Sequence, residues 1–437
     1  MRGEDNISRV NGILNAQASV RVEADEYRRR LVDPLLDELA MQISAIMVTG
    51  PRASGKTTMA ARRAATVVQL NAEAQAAAFI ADPDAALRGL EEPVLLDEWQ
   101  EVPGVFGAAR RAVDAGPSPE RFYLTDSVRA EPDNESWPGT GRLVRLAMYP
   151  MTLRERVGNV AAKSFLDKLA DGDAITVPHR TPDLRGYVEL ALESGFPMAA
   201  LLLSGRPRRM WLASYLEDLL THDVDELEDP MGRRNDPRRL RRYFEAYALN
   251  SAGVTEHKKI FDAAGVAKKT GERYEELLSQ LLVVDQMPAW TSNRLKRLVR
   301  GAKRYVVDPA LIAAALRLDA QAVINDGDML GRILDTFVLA QLRPEVVIAR
   351  AEPRLFHLRT EAGRHEVDVV VEFGGRRVVG IEIKASAAPG DHDARHLRWL
   401  ASELGDRFVA GVVLHTGPRL YELADGIIAA PISALWG

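Results

Sequence analysis

The sequence predicts an α/β fold class assembled from several successive units. Three observations lead there. The 437 residues exceed one ordinary domain and suggest about three, each able to bury its own core. Between about residues 43 and 155 short apolar runs alternate with helix-compatible segments, the order that crossover connections and a mostly parallel sheet require. After about residue 325 the alternation returns, beyond a long stretch of helical character. A hydrophobic share of 46% and a charged share of 27% exclude a mainly disordered, collagen-like or coiled-coil chain. Lys plus Arg is 57 and Asp plus Glu is 62, a net charge of -5, so any nucleic-acid contact has to come from a local patch. The absence of cysteine excludes disulfides, thiolate zinc sites, iron–sulfur ligation and a Cys nucleophile, and fits a reducing cytoplasm.

Residues 1–42 form the N-terminal segment. Met1 to Val10 mix charges with no apolar region behind them, so no secretory signal is expected. Spaced Leu, Val and Met from residue 20 onward predict an amphipathic helix. The longest apolar stretch, near Phe196 to Leu203, is far short of the ~20 residues of a spanning helix, so a soluble, cytoplasmic protein with no membrane partner is expected. Residues 43–155 open with a strand through Ile46, Met47 and Val48 that ends at Gly50, followed by an Ala-rich helix from Thr57 to Ala65. Further strands are expected at Thr66 to Leu70, Val94 to Leu96 and Phe122 to Leu124.

Gly50-Pro51-Arg52-Ala53-Ser54-Gly55-Lys56-Thr57 matches G-x-x-x-x-G-K-[ST] in full, set between a strand and a helix as a phosphate loop requires. Its glycines let consecutive N–H groups turn inward onto phosphates, Lys56 would reach the β- and γ-phosphates, and Thr57 would place its hydroxyl on Mg²⁺. Nucleotide contact is therefore expected from Gly50 through Thr58. About forty residues on, Val94-Leu95-Leu96 ends in Asp97-Glu98. Asp97 would hold Mg²⁺ through water, and Glu98 would orient or deprotonate the attacking water. The strand ending in Thr125-Asp126-Ser127 offers Thr125 and Ser127 as groups that could sense the γ-phosphate.

These stretches, with Trp99-Gln100, Val102-Pro103, Gly141-Arg142-Leu143 and Pro150-Met151-Thr152-Leu153, resemble the bacterial and archaeal AAA-type P-loop ATPases that carry a C-terminal domain of unknown function. That family typically has Gly where this chain has Asp126. The resemblance implies ATP and Mg²⁺ as cofactors. An arginine for transition-state charge is also needed, from the same chain or from a neighbouring copy in a homo-oligomer, and Arg129 and Arg142 are the candidates.

Residues 156–237 are expected to form a helical lid or connector, clearest at Trp211 to Leu220, with the Pro-, Gly- and Arg-rich run Glu228 to Arg239 as a connection. Residues 238–311 read as helix, helix, turn, helix, then strands near Leu282 to Val284 and Tyr305 to Val307, a winged-helix-like order that the resemblance also implies. Lys268, Lys269 and Arg273 begin the third helix. Arg294, Lys296, Arg297, Arg300, Lys303 and Arg304 follow with no acid among them, an electrostatic footprint for a DNA backbone. Winged helices also serve as packing or protein-binding modules, so both readings stand.

Residues 325–437 order as a long helix near Met329 to Leu342, strands near Leu355 to Arg359, Glu366 to Glu372 and Arg377 to Lys384, a helix near Asp393 to Leu404, and a strand near Phe408 to Leu414. This is the core order of restriction-endonuclease-like folds, and the resemblance implies the same fold. Asp335 lies on the helix, Asp368 on the second strand, and Glu382 and Lys384, two apart, share one face of the third. Asp368 and Glu382 would be the Mg²⁺ ligands, with Asp335 and Lys384 assisting a hydrolytic water. The expected function is Mg²⁺-dependent ATP hydrolysis coupled to DNA binding or processing. The alternative is a nucleotide switch or scaffold whose nuclease-like domain is inactive. His392 and His396 lack the Glu of a zinc-protease pattern, and Trp99, Trp211, Trp290 and Trp399 are expected in cores.

Overall fold

The computed structural model describes residues 27–126, 141–224, 235–291, 301–360 and 364–437. The chain divides into two compact units, one through Met148 and one from Tyr149 to Gly437.

In the first unit five strands form one sheet: β1 (Ala45–Thr49), β2 (Thr66–Gln69), β3 (Val94–Asp97), β4 (Phe122–Asp126) and β5 (Leu143–Ala147). Their order is β2-β3-β4-β1-β5, and every pair is parallel. Parallel strands covered on both faces become continuous apolar runs, which is why Ala45 to Val48 and Val94 to Leu96 are buried residue after residue. The helix Gly104–Ala115 sends Val105, Phe106, Ala109 and Val113 into this core, and Phe106 stacks on Trp99 at 4.8 Å. The register pairs Asp97 with Thr125 and Thr49 with Asp126, bringing the strand ends that follow the apolar runs to one edge. Sequence reasoning did not foresee β5, whose pattern is only partly buried.

The second unit begins with short helices. Three of them, Pro237–Leu249, His257–Ala264 and Lys268–Gln280, precede an antiparallel pair, β6 (Val284–Met287) and β7 (Lys303–Val306). Gly271 is required at the crossing of the last two helices, because a Cβ there would lie 2.2 Å from the Phe261 ring. The expected strands are shifted: the first starts at Val284, and the second starts two residues earlier than Tyr305, at Lys303.

A six-stranded mixed sheet completes this unit, from β8 (Arg354–Arg359), β9 (Glu366–Glu372), β10 (Val378–Lys384), β11 (Phe408–His415), β12 (Tyr421–Ala424) and β13 (Ile427–Pro431), in the order β12-β13-β11-β10-β9-β8. The last two strands were not expected. The long helix runs Gly327–Ile348, capped by the Asp326 carboxylate on the Asp328 and Met329 amides. The helix Arg395–Leu404 lays Leu397, Leu400 and Leu404 on the sheet. It comes so close that a Cβ on Gly380 would meet Leu397 at 2.6 Å. Among the described residues no helix is long and apolar enough to cross a membrane.

Candidate nucleotide site and C-terminal charge cluster

The phosphate loop leaves β1 at Thr49 and enters the helix Lys56–Ala61. Only glycine fits at position 50, because a Cβ there would fall 2.0 Å from the Met148 carbonyl oxygen. Gly55 turns the chain at φ 98°, a conformation that glycine adopts without a Cβ clash. Lys56 is almost fully buried. Its ammonium donates to the carbonyls of Gly50 at 2.9 Å and Pro51 at 3.1 Å. Burial pushes its pKa down, against the pull of Glu98, Asp126 and Asp97. The Ser54 hydroxyl is buried with no hydrogen-bond partner among the described residues. Arg30, which the sequence did not single out, braces the loop by donating to the Ser54 carbonyl at 2.7 Å. Asp33 accepts the Arg30 amide and pairs with Arg63.

Asp97 closes β3 beneath this loop. Its Oδ1 accepts from Thr57 at 2.7 Å and from Thr125, and burial raises its pKa against those two hydrogen bonds. Glu98 follows with φ 52°, a left-handed backbone that costs a non-glycine residue about 1 kcal/mol, and Gln100 donates to its carboxylate at 2.5 Å. Asp126 is wholly buried. It accepts from the Trp99 indole at 3.3 Å, its other oxygen has no partner among the described residues, and burial raises its pKa to about 7. Lys56, Thr57, Asp97, Glu98, Thr125 and Asp126 thus share one sheet edge. Ser127 and Arg129 lie outside the described residues.

Arg142 is a correction. It immediately precedes Leu143, which pairs with Ala45 at the start of β1, whereas the phosphate loop follows Thr49. Four residues of strand rise put it roughly 13 Å along the sheet from that edge, and it is held there by Asp114. It does not reach the loop of its own chain.

In the second unit the structure gathers Asp335, Asp368, Glu382 and Lys384 and adds a fifth group. Lys303 extends from β7 and donates to Asp335 Oδ2 at 2.6 Å and to Asp368 Oδ1 at 3.2 Å. Its side chain is 3% exposed. The other Asp368 oxygen accepts the Ile383 amide at 3.0 Å, and Lys384 donates to Glu382 Oε2 at 2.8 Å. Among the described residues Asp335 Oδ1 and Glu382 Oε1 are buried without partners. Burial lifts Asp335 to about 6 and, with Asp368 alongside, Glu382 to about 8. Burial would lower Lys303, but Asp335 and Asp368 hold it well above the usual lysine range.

Lys303 and Arg304 are the second correction. Both were expected on a solvated cationic loop, and both are buried strand residues. Arg304 pairs with buried Glu275 at 3.2 Å and donates to the Thr255 carbonyl. Lys268 and Lys269 are exposed at the start of their helix, with Arg273 half-buried behind them. Arg294, Lys296, Arg297 and Arg300 lie outside the described residues.

Residues 42–157 match the model of an AAA domain. Residues 184–322 match a domain of unknown function (DUF8612) and residues 330–435 another (DUF4143). The chain is 28% identical to an uncharacterized protein of Mycobacterium bovis and to one of Mycobacterium tuberculosis, over 94% of this chain and 86% of each relative. Among solved structures it is similar to a Walker-type ATPase of Pyrococcus abyssi, at 15% identity and a TM-score of 0.42, over 69% of this chain and 99% of that one. The AAA match, the phosphate loop and the five-stranded parallel sheet make the N-terminal unit a domain of the P-loop ATPase type.

Proposed function

We propose that the N-terminal unit binds ATP with Mg²⁺ at Gly50 through Thr58 and hydrolyses it. The observation that carries this reading is the convergence of Lys56, Thr57, Asp97 and Glu98 on one sheet edge behind a loop that only glycine can begin. The unpartnered Ser54 hydroxyl and the loop carbonyls that occupy Lys56 fit a phosphate cradle whose polar groups have exchangeable partners. Thr57 and Asp97 would hold Mg²⁺, which needs only one or two protein oxygens beside phosphates and water. When bound, that ion neutralises charge on the phosphates.

The chain's own groups then have distinct tasks. Lys56 gives its ammonium to the terminal phosphates, where the low local dielectric strengthens each contact. Glu98 accepts a proton from the attacking water, and Gln100 fixes the orientation of its carboxylate. Thr125, bonded to Asp97, relays the position of that carboxylate to β4. Asp126 stands where the resembling family has glycine, so any γ-phosphate sensing is assigned to Thr125 and Ser127. The completing arginine is assigned to Arg129, or to Arg142 of a second copy in a homo-oligomer.

For the second unit we favour nucleotide-dependent binding without strand cleavage, with the three-helix and hairpin segment acting as a winged helix and the C-terminal part as an inactive restriction-endonuclease-like module. Lys303 within the carboxylate cluster supports this over the nuclease reading. Exposed Lys268 and Lys269 support DNA as the partner. The test is ATP hydrolysis with and without single- and double-stranded DNA, with the DNA inspected for cleavage in the same tubes. Stimulation without cleavage is expected, and cleavage that is lost in Asp368→Ala would overturn the favoured reading.

A further inference from the structure

The nuclease-like resemblance implies a divalent ion among Asp335, Asp368 and Glu382, and the residues present do not fit it. Among the described residues no three His, Cys, Asp or Glu side chains are grouped to hold a metal. Asp335 Oδ2 and Asp368 Oδ1 both accept from the Lys303 ammonium, which occupies two of the oxygens such an ion would draw on. The remaining oxygens divide between the chain's own donors and unpartnered positions. Asp368 Oδ2 is taken by the Ile383 amide and Glu382 Oε2 by Lys384, while Asp335 Oδ1 and Glu382 Oε1 are buried with no donor among the described residues.

We propose that Lys303 is a resident cation for this cluster. Its ammonium stands in the place of a divalent ion, makes the C-terminal module metal-independent, and locks β7 to the long helix and to β9. The inference deepens the non-cutting reading above and rests on the same cluster.

Three features argue for it. The first is placement: Lys303 is the first residue of β7 and pairs with Met287, the last residue of β6, at the end where the connecting chain joins the two strands, so its side chain is delivered from a second element of the unit. A lysine on a mobile surface loop would not be held in this way. The second is charge. Lys303 already faces Asp335 and Asp368, and Lys384 faces Glu382, so two ammonium groups stand against the three acids of a buried, low-dielectric cluster. A divalent ion added to this set would have to expel an ammonium. The third is covering: Tyr305, fully buried two residues on, sets its ring 5.7 Å from the Lys303 ammonium and shields that side. The two unpartnered oxygens remain as unused hard ligands, so removal of Lys303 leaves Asp335 and Asp368 with freed oxygens beside two already vacant ones, the donor set that Mg²⁺ or Mn²⁺ prefers.

The experiment is Mn²⁺ titration of the full-length, nucleotide-free chain, read by the electron paramagnetic resonance of free Mn²⁺ and by thermal unfolding. Every sample carries Asp97→Asn to remove the phosphate-loop contribution. With Lys303 present, no Mn²⁺ site that depends on Asp368 is expected. Lys303→Met is expected to gain one site, with a rise of about 5 °C in unfolding midpoint at saturating Mn²⁺. Lys303→Met with Asp335→Asn is expected to lose the gain. A Mn²⁺ site in the Lys303 chain that disappears with Asp368→Asn would overturn the proposal, as would a folded Lys303→Met chain that takes up no Mn²⁺. If Lys303→Met is not recovered folded, the comparison of the Lys303 chain with and without Asp368→Asn decides alone. A chain that cuts no DNA and yet binds Mn²⁺ through Asp368 would defeat this inference and leave the non-cutting reading standing.

Discussion

The Thr57 hydroxyl donates to Asp97 Oδ1 across 2.7 Å, tying the residue after the phosphate-loop lysine to the end of β3, 40 residues away. The bond holds the two expected Mg²⁺ groups in contact before any ligand arrives. Asp97→Asn keeps an oxygen for Thr57 and removes the charge. Its expected effect is that ATP binding without Mg²⁺ stays within about threefold of wild type, while the strengthening by Mg²⁺ is lost. Titration of a fluorescent ATP analogue with and without MgCl₂ measures this, and an unchanged Mg²⁺ effect would remove Asp97 from the ion's neighbourhood.

Asp126 supplies a pH test with a definite sign. Burial raises its folded-state pKa from 3.8 to about 7, so the folded protein binds its proton more tightly than the unfolded chain. The associated stability is fully present below about pH 4 and is lost as pH rises through about 7. Asp126→Asn stays neutral and keeps an oxygen for the Trp99 indole. The unfolding midpoint of the variant relative to wild type should therefore climb between pH 4 and 8. A pH-independent difference would mean that Asp126 is ionised throughout.

Much of the first unit was legible in the sequence because its signals are contiguous. An apolar strand, eight residues of phosphate loop and a second apolar run ending in acid each declare themselves within a short window. The fate of Lys303 was not legible. It is the fifth in a run of six cations that reads as one solvated surface, and its partners lie 32 and 65 residues further along the chain. Arg142 failed for a related reason: without β5 recognised at Leu143, nothing placed it at the far edge of the sheet. β12 and β13 are short and flank the turn at Gly426, too brief for a period-two pattern to stand out.

The cations of the middle segment separate by burial. Arg304 is buried on Glu275, so Arg304→Met leaves that buried carboxylate to Gln286 and His257 and should cost up to about 3 kcal/mol in denaturant unfolding. Lys268 and Lys269 are exposed. If they meet a DNA backbone, the double change to alanine should leave stability within about 0.5 kcal/mol and reduce the slope of log affinity against log salt by up to about 2. An unaltered slope would take these two residues out of any DNA interface.

Gly271 gives a packing test independent of charge. An alanine methyl would sit 2.2 Å from Phe261, so Gly271→Ala should destabilise by about 1–3 kcal/mol, and a smaller partner in Gly271→Ala with Phe261→Leu should recover part of that loss. Unfolding midpoints of the two variants check it, and a neutral Gly271→Ala would show that the crossing has slack.

The most direct measurement of the central claim is phosphate release from MgATP by the full-length wild-type chain and by Glu98→Gln, with ATP binding measured in parallel. The wild type should release phosphate, and Glu98→Gln should bind ATP with wild-type affinity while releasing phosphate at least about 100-fold more slowly. A wild-type rate no higher than that of Lys56→Ala, or a Glu98→Gln rate equal to wild type, would contradict the assignment.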